Sequence, residues 1–192
     1  MHPKKKTKIF ITCQLALLVT LLMSSSAFAA GIIRSPGQHN RYEFEIEPQL
    51  GYWYGNAAEG AGPSVRVAIP ILQNGPIGTI NNNIAVSFGA GSFFALSDCL
   101  SPDPFRYCNV PGRSLVWLSL PGAFQWNFYF TKIISVVGEV GLDFAIPVGS
   151  GNGRSLLVNP LFQGGGRFQF GKVGVLVRVG YPMISVGCNL QF

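Results

Sequence analysis

The sequence predicts an all-β fold, an eight-stranded antiparallel up-and-down transmembrane β-barrel, and three observations lead there. From residue 41 onward, apolar and polar residues alternate with period two in run after run, the mark of strands with two unlike faces. The polar faces carry Gly, Ala, Ser and Gln with few charges, poor chemistry for a surface in water. Aromatic residues gather at the ends of the runs, where a membrane barrel places its two girdles.

The chain opens on an export signal. Lys4, Lys5, Lys6 and Lys8 form a basic start, Ile9 to Met23 an apolar stretch, and Ala27-Phe28-Ala29 a small-residue cleavage pattern, so residues 1–29 read as a signal peptide and Ala30 as the mature start. The apolar stretch is short of the ~20 residues a spanning helix needs. Cys13 lies inside it, not after a cleavage site, which argues against a lipid anchor. With the signal gone, ten of the fourteen Lys+Arg residues face all eight Asp+Glu, leaving a net charge of +2. The basic balance belongs mostly to the export signal, and no nucleic-acid partner is expected.

After a short segment, residues 30–40, expected on the periplasmic side, the barrel occupies 41–192. Its first run, Arg41 to Tyr54, sets Tyr42, Phe44, Ile46, Pro48, Leu50, Tyr52 and Tyr54 against Glu43, Glu45, Glu47, Gln49, Gly51 and Trp53. In the second, Val65, Val67, Ile69 and Ile71 oppose Arg66, Ala68 and Pro70; in the third, Ile84, Val86 and Phe88 oppose Ala85, Ser87 and Gly89. One parity then stays apolar from Val116 to Phe130, a single long strand. The fifth run aligns Ile134, Val136, Val140, Leu142, Phe144 and Ile146 against Ser135, Glu139, Gly141 and Asp143. After a glycine-rich loop (Gly149 to Gly153), Val158, Phe162, Phe168 and Phe170 oppose Asn159, Gln163, Arg167 and Gln169. Gly171-Lys172 is a two-residue hairpin turn into Val173, Val175, Val177 and Val179, and Ile184 to Phe192 closes the set. Pro48, Pro70, Pro121 and Pro160 each remove a ladder hydrogen bond and predict bulges. The segment Gln73 to Asn83 is long for a periplasmic turn.

Period two alone fits a soluble lipocalin-like barrel as well as a membrane barrel; the sparse charge of the polar faces selects the second, with apolar residues outside. Glu43, Glu45, Glu47, Glu139 and Asp143 then point inward with Arg66, Arg167 and Arg178, five acids to three bases. They predict a buried ion network, with water or protonated carboxyls absorbing the imbalance. Trp53, Trp117 and Tyr129 narrow the lumen further, so a plug is expected and a pore for small solutes is the weaker reading.

The signal peptide, the eight alternating runs, the short turns at one end with longer loops at the other, and the final alternation to Phe192 together resemble the small outer-membrane barrels of the OmpA/OmpX type. The resemblance implies an outer-membrane location, contact with outer-membrane lipid, and recognition by the barrel-assembly machinery. By that likeness Ile184, Val186, Cys188, Leu190 and Phe192 form the assembly signal. The role it implies is structural, or surface interaction through the outer loops, by a monomer without cofactor.

Catalytic chemistry is sparse. Outer-membrane lipid A deacylases and acyltransferases resemble this chain in size and use a histidine with a serine near the outer rim, whereas His39, the one histidine after the signal, precedes the first strand on the periplasmic side. A lipid-modifying activity would need His39, or the pair Glu139 and Asp143, to face a groove open to lipid; no enzyme is expected. Glu43, Glu45 and Glu47, spaced about 7 Å apart along one face, could bind a cation, but ion pairing with the three arginines is the favoured reading. Cys99 and Cys108 frame the longest loop and, in an oxidising envelope, predict a disulfide; Phe105, Arg106 and Tyr107 between them are the candidate partner contact, their ligand unnamed by the sequence. Cys188 reads as a small apolar residue on the lipid face. Gly89-Ala90-Gly91 and Gly164-Gly165-Gly166 lie within strands and speak for a crowded lumen, not phosphate binding.

Overall fold

The computed structural model describes residues 31–55, 59–97, 116–148 and 156–192. The expected signal peptide (1–29), Cys99 and Cys108 with Phe105, Arg106 and Tyr107, and the glycine loop 149–153 lie outside the described residues.

Eight strands form: β1 (Glu45–Trp53), β2 (Glu59–Leu72), β3 (Asn82–Ser97), β4 (Val116–Tyr129), β5 (Ile134–Val148), β6 (Leu157–Phe170), β7 (Val173–Tyr181) and β8 (Met183–Gln191). Each pairs antiparallel with the next, and β8 pairs with β1 to close the barrel. The fold class is the one the alternation predicts. Closure leaves no sheet edge, so every strand finds a ladder partner on both sides.

The tight turns sit where parity requires. Phe170 faces Val173 across Gly171-Lys172, and Gly171 takes the positive φ of 65° that such a turn demands. Phe130 donates to the Ile134 carbonyl at 3.0 Å, while Thr131 Oγ1 accepts from the Ile133 and Ile134 amides and holds the turn.

The prolines disturb the ladders less than expected. Pro70 alone of the four adjoins a register shift, between Pro70 and Leu72 on β2–β3. Pro48 and Pro121 interrupt pairing on one side, toward β8 and β3 respectively, and the register resumes unshifted. Pro160 pairs with Leu142, and β7 begins to pair with β6 only at Phe162, so its missing N–H disrupts nothing. A proline whose nitrogen faces a gap in the ladder needs no bulge.

The two faces are inverted relative to a soluble protein. Leu50, Val65, Phe88, Phe124, Val140, Phe162, Val177 and Val186 are all exposed outside, while three arginines and three glutamates are at most 6% exposed inside. Phe44, Phe130, Phe168, Phe170 and Phe192 ring the end at which Ile32 and Phe192 lie, here called the termini end; Tyr52, Tyr54, Phe94 and Phe144 are exposed toward the other.

The first run departs from its expected form. Strand β1 starts at Glu45, not at Arg41, because a bend at Glu43 breaks the alternation. The Glu43 amide donates to the Phe192 carbonyl at 2.7 Å and the Phe192 amide to the Phe44 carbonyl at 3.0 Å, which pins the bend to the end of β8. Glu43 is consequently exposed outside the lumen, and Tyr42, expected on the apolar outer face, is buried beneath it.

Candidate functional site

Parity fixes which side chains enter the lumen, and the stagger of the strands fixes their depth. Three layers result.

Toward the end opposite the termini lies an apolar layer. Trp53, Phe93, Trp117, Ala145 and Met183 cluster there, with the Trp53 ring stacked on Phe93 at 5.5 Å and on Trp117 at 6.4 Å. Asp143 lies against this layer: it accepts from Trp53 Nε1 at 3.2 Å and from the Ser119 hydroxyl. It is fully buried and inward, as expected, but makes no ion pair with the arginines. Its carboxylate is satisfied by neutral donors, at a height the guanidinium groups do not reach.

The middle layer is a chain of alternating charges. Arg66 pairs with Glu139 at 2.8 Å; Glu139 also holds Arg178 at 2.9 Å; Arg178 holds Glu47 at 2.6 Å; Glu47 reaches Arg167 at 3.4 Å; and Arg167 ends on Glu45 at 2.9 Å. Six of the eight residues expected in a lumen network are thus brought together, three of each sign, and Glu43 and Asp143 are not among them. The expected surplus of acids is thus absent from the ion chain, and in the lumen it shrinks to Asp143, which neutral donors hold. Glu47 and Glu139 each bridge two arginines, so losing any member unbalances the charge of the chain in low dielectric, and losing Glu139 or Arg167 leaves Arg66 or Glu45 without an ion-pair partner. With Glu45 and Glu47 taken up by arginines and Glu43 outside, the three-glutamate cation arrangement is not assembled.

Neutral groups extend the network. Arg66 donates to Ser87 Oγ at 2.7 Å and to Gln163 Oε1 at 3.3 Å, and Gln163 Nε2 donates onward to the Met183 carbonyl at 2.8 Å. Inward parity pointed to both; Ser87 is a diagonal neighbour of Arg66 on the adjacent strand, whereas nothing local pairs Gln163 of β6 with an arginine of β2. Glycines give the guanidinium groups their space: Gly89 lies opposite Arg66 and Gly165 opposite Arg178 in the ladders. A β-carbon at Gly89 would come within 2.7 Å of Arg66 Cγ.

The third layer, toward the termini, is built of amides and tyrosines. Gln125 donates to Asn127 at 2.9 Å, Asn127 to Asn83 at 2.7 Å, and Asn189 to Gln169 at 2.5 Å. Tyr42, Tyr129 and the Nε and Nη1 of Arg167 are buried without a hydrogen-bond partner. Beside them lies a cavity of about 10 Å³ lined by Tyr129, Ser135, Arg167, Gln169 and Gln191, which is space for one water.

The mouth below this layer is closed by the chain itself. Residues 32–42, here called the arm, run under the barrel and meet the β2–β3 connection, residues 73–81. The Ile32 amide donates to the Phe130 carbonyl at 2.8 Å, the Asn81 amide to Ile33 at 2.7 Å, and the Tyr129 amide to Asn81 at 2.9 Å. His39 is 4% exposed, stacks on the Tyr129 ring at 4.2 Å, and hydrogen-bonds Asn81 Oδ1 through Nδ1 at 2.6 Å. Burial is the largest influence on its imidazole and holds the pKa below the usual 6.5. Sequence reasoning placed His39 at this end but not inside it, since the arm has no periodicity; the buried run Asn81-Asn82-Asn83 was the available signal.

Of the remaining expected site residues, Ile184, Val186, Cys188 and Phe192 are exposed on the outer face and Leu190 is half-buried there. Cys188 is a free thiol. Phe192 stacks on Phe44 at 4.9 Å across the β8–β1 seam.

No family model and no curated protein matches this chain. Among solved structures it is similar to the Yersinia pestis outer membrane protein Ail in a phospholipid bilayer nanodisc, at 14% identity and a TM-score of 0.43, over 79% of this chain and 100% of that one.

Proposed function

We propose that the chain is an integral outer-membrane barrel, exported with its signal removed, monomeric and non-enzymatic, whose filled lumen makes it a rigid scaffold for the loops at the end opposite its termini. The observation that carries the reading is the inversion of faces, with large apolar side chains exposed on all eight strands around a lumen of buried arginines, glutamates and amides. A continuous apolar belt of this kind is a surface for lipid. In the bilayer the termini end faces the periplasm, and the surface end includes the loop with Cys99, Cys108 and the contact residues Phe105, Arg106 and Tyr107. The ion chain crosses the lumen and supports a plug over a pore, and Glu139 and Asp143 point into the lumen, not toward lipid.

The test is heat-modifiability. Mature protein refolded into detergent should migrate differently on a denaturing gel before and after boiling, and planar bilayers containing it should show no stable conductance. Val140→Arg, on the outer face of β5, should cost about 2–4 kcal/mol in phospholipid, measured by urea unfolding in vesicles. A protein that stays soluble without detergent, shows no mobility shift and tolerates Val140→Arg would overturn the reading.

The outer face of β8 supports the assembly signal. Deleting Phe192 removes its stack on Phe44 and the two backbone bonds that fasten β8 to Glu43 and Phe44. The expected result is loss of heat-modifiable protein from cell envelopes while purified protein still refolds in detergent. Equal assembly of both forms in cells would rule the signal out.

A further inference from the structure

We propose that the arm, residues 32–42, is a stopper for the lumen mouth at the termini end, and that His39 is its catch, shut with a neutral imidazole and released when the ring takes up a proton.

The geometry prescribes one protonation state. Nδ1 lies 2.6 Å from Asn81 Oδ1, an acceptor, so Nδ1 carries the hydrogen. Nε2 is buried and makes no hydrogen bond. A second proton has only Nε2 to occupy, a buried atom without a hydrogen bond, so a full charge would arise away from water with the Gln73 backbone as the one further group that favours it. Face-to-face stacking on Tyr129 leaves the ring no room to turn toward water without leaving its place.

The surroundings act the same way. Burial lowers the pKa most; the Asn81 hydrogen bond raises it, Arg41 on the arm lowers it, and the Gln73 backbone on the β2–β3 connection raises it, with a net fall. Beyond Tyr129, Lys132 from the β4–β5 turn and Arg167 from β6 line the adjoining cavity, and Arg167 is held by Glu45 and Glu47. No carboxylate acts on the ring among the described residues.

The sign follows. A histidine whose docked pKa is below its free value gives docking its full stability above the free value, near pH 6.5, and loses it as pH falls toward the docked value. One proton shifts the open-to-closed ratio about tenfold per pH unit across that window. Opening would bare Tyr129, Asn81 and the amide layer to the periplasm while the ion chain above stays intact.

The experiment is hydrogen exchange on refolded mature barrel in detergent from about pH 8 to about pH 5, each rate divided by its intrinsic value. The amides of Ile32, Asn81 and Tyr129 report the arm, and β5–β6 amides serve as reference. Expected is protection at the upper limit and an approximately tenfold rise in normalised exchange per pH unit below pH 6.5, confined to the three reporters. His39→Gln, which can donate to Asn81 but takes up no proton, should stay protected throughout. Asn81→Asp, which offers the protonated ring a carboxylate, should move release to lower pH. Flat protection in the unaltered protein, or the same pH dependence in His39→Gln, would overturn the proposal. Neither result bears on the heat-dependent mobility shift, so the stopper and the membrane reading fail separately.

Discussion

Replacing Arg178 with methionine is expected to lower the unfolding free energy of the refolded barrel by about 3–5 kcal/mol, the range for stripping one partner from a buried ion pair. Arg178 is the middle of the chain: Nη2 reaches Glu47 at 2.6 Å and Nε reaches Glu139 at 2.9 Å. Without it, the two carboxylates keep one guanidinium each, Arg167 at 3.4 Å and Arg66 at 2.8 Å, and face each other across a dry gap. Arg178→Lys retains the charge but offers a point contact where a fork spans two strands, so it should fall between methionine and the natural residue. Urea titration followed by tryptophan fluorescence measures both. A loss under about 1 kcal/mol, the scale of exposed ion pairs, would mean that water reaches the chain and that the lumen is not a dry plug.

Gly165→Val should prevent assembly, while Gly166→Val, one residue on, should be tolerated. A β-carbon at Gly165 would be 2.3 Å from the Val177 carbonyl and 3.1 Å from Arg178 Cγ, so β6 and β7 would have to part and the ion chain shift. The cost lies at or beyond the ~3 kcal/mol upper end of overpacking. At Gly166 an added β-carbon meets nothing within 4 Å, and a β-branched residue suits an outer strand face. The readout is the fraction of refolded protein showing the gel shift. Similar losses for both would mean that the two faces of β6 are not distinguished by packing, contrary to the barrel described.

Most of the fold was legible because one physical rule, period two, runs from β2 to β8, with register shifts only near the two ends of β2. It assigned the outer valines of β7, β4 as one long strand to within a residue of its end, and the turns at Gly171 and Thr131. It failed at Glu43 and Tyr42, because parity assumes an extended backbone and the bend there is imposed by Phe192, the far end of the chain. Parity also says which face but not which depth. Asp143 and Glu139 share β5 and both point inward, yet the stagger puts one beside Trp53 and the other beside Arg66 and Arg178. His39 was placed at the right end but not in its buried position, since its partners come from β4 and the β2–β3 connection and its own segment repeats nothing.

The ion chain has one more consequence, for the journey before the barrel exists. Its hydrogen-bonded links join residues 73, 39, 131 and 120 positions apart, and those through Glu47 cannot form until the first strand has met the sixth and seventh. Contacts of such separation come late, after most of the chain entropy has been surrendered. Until then the same six side chains are free ions scattered through a glycine- and valine-rich polymer, each carrying its own hydration. In the unfolded chain they stay hydrated, and they withdraw from solvent as the last seam closes. One set of charges thus serves two solvents in succession, and ring closure is the moment of exchange.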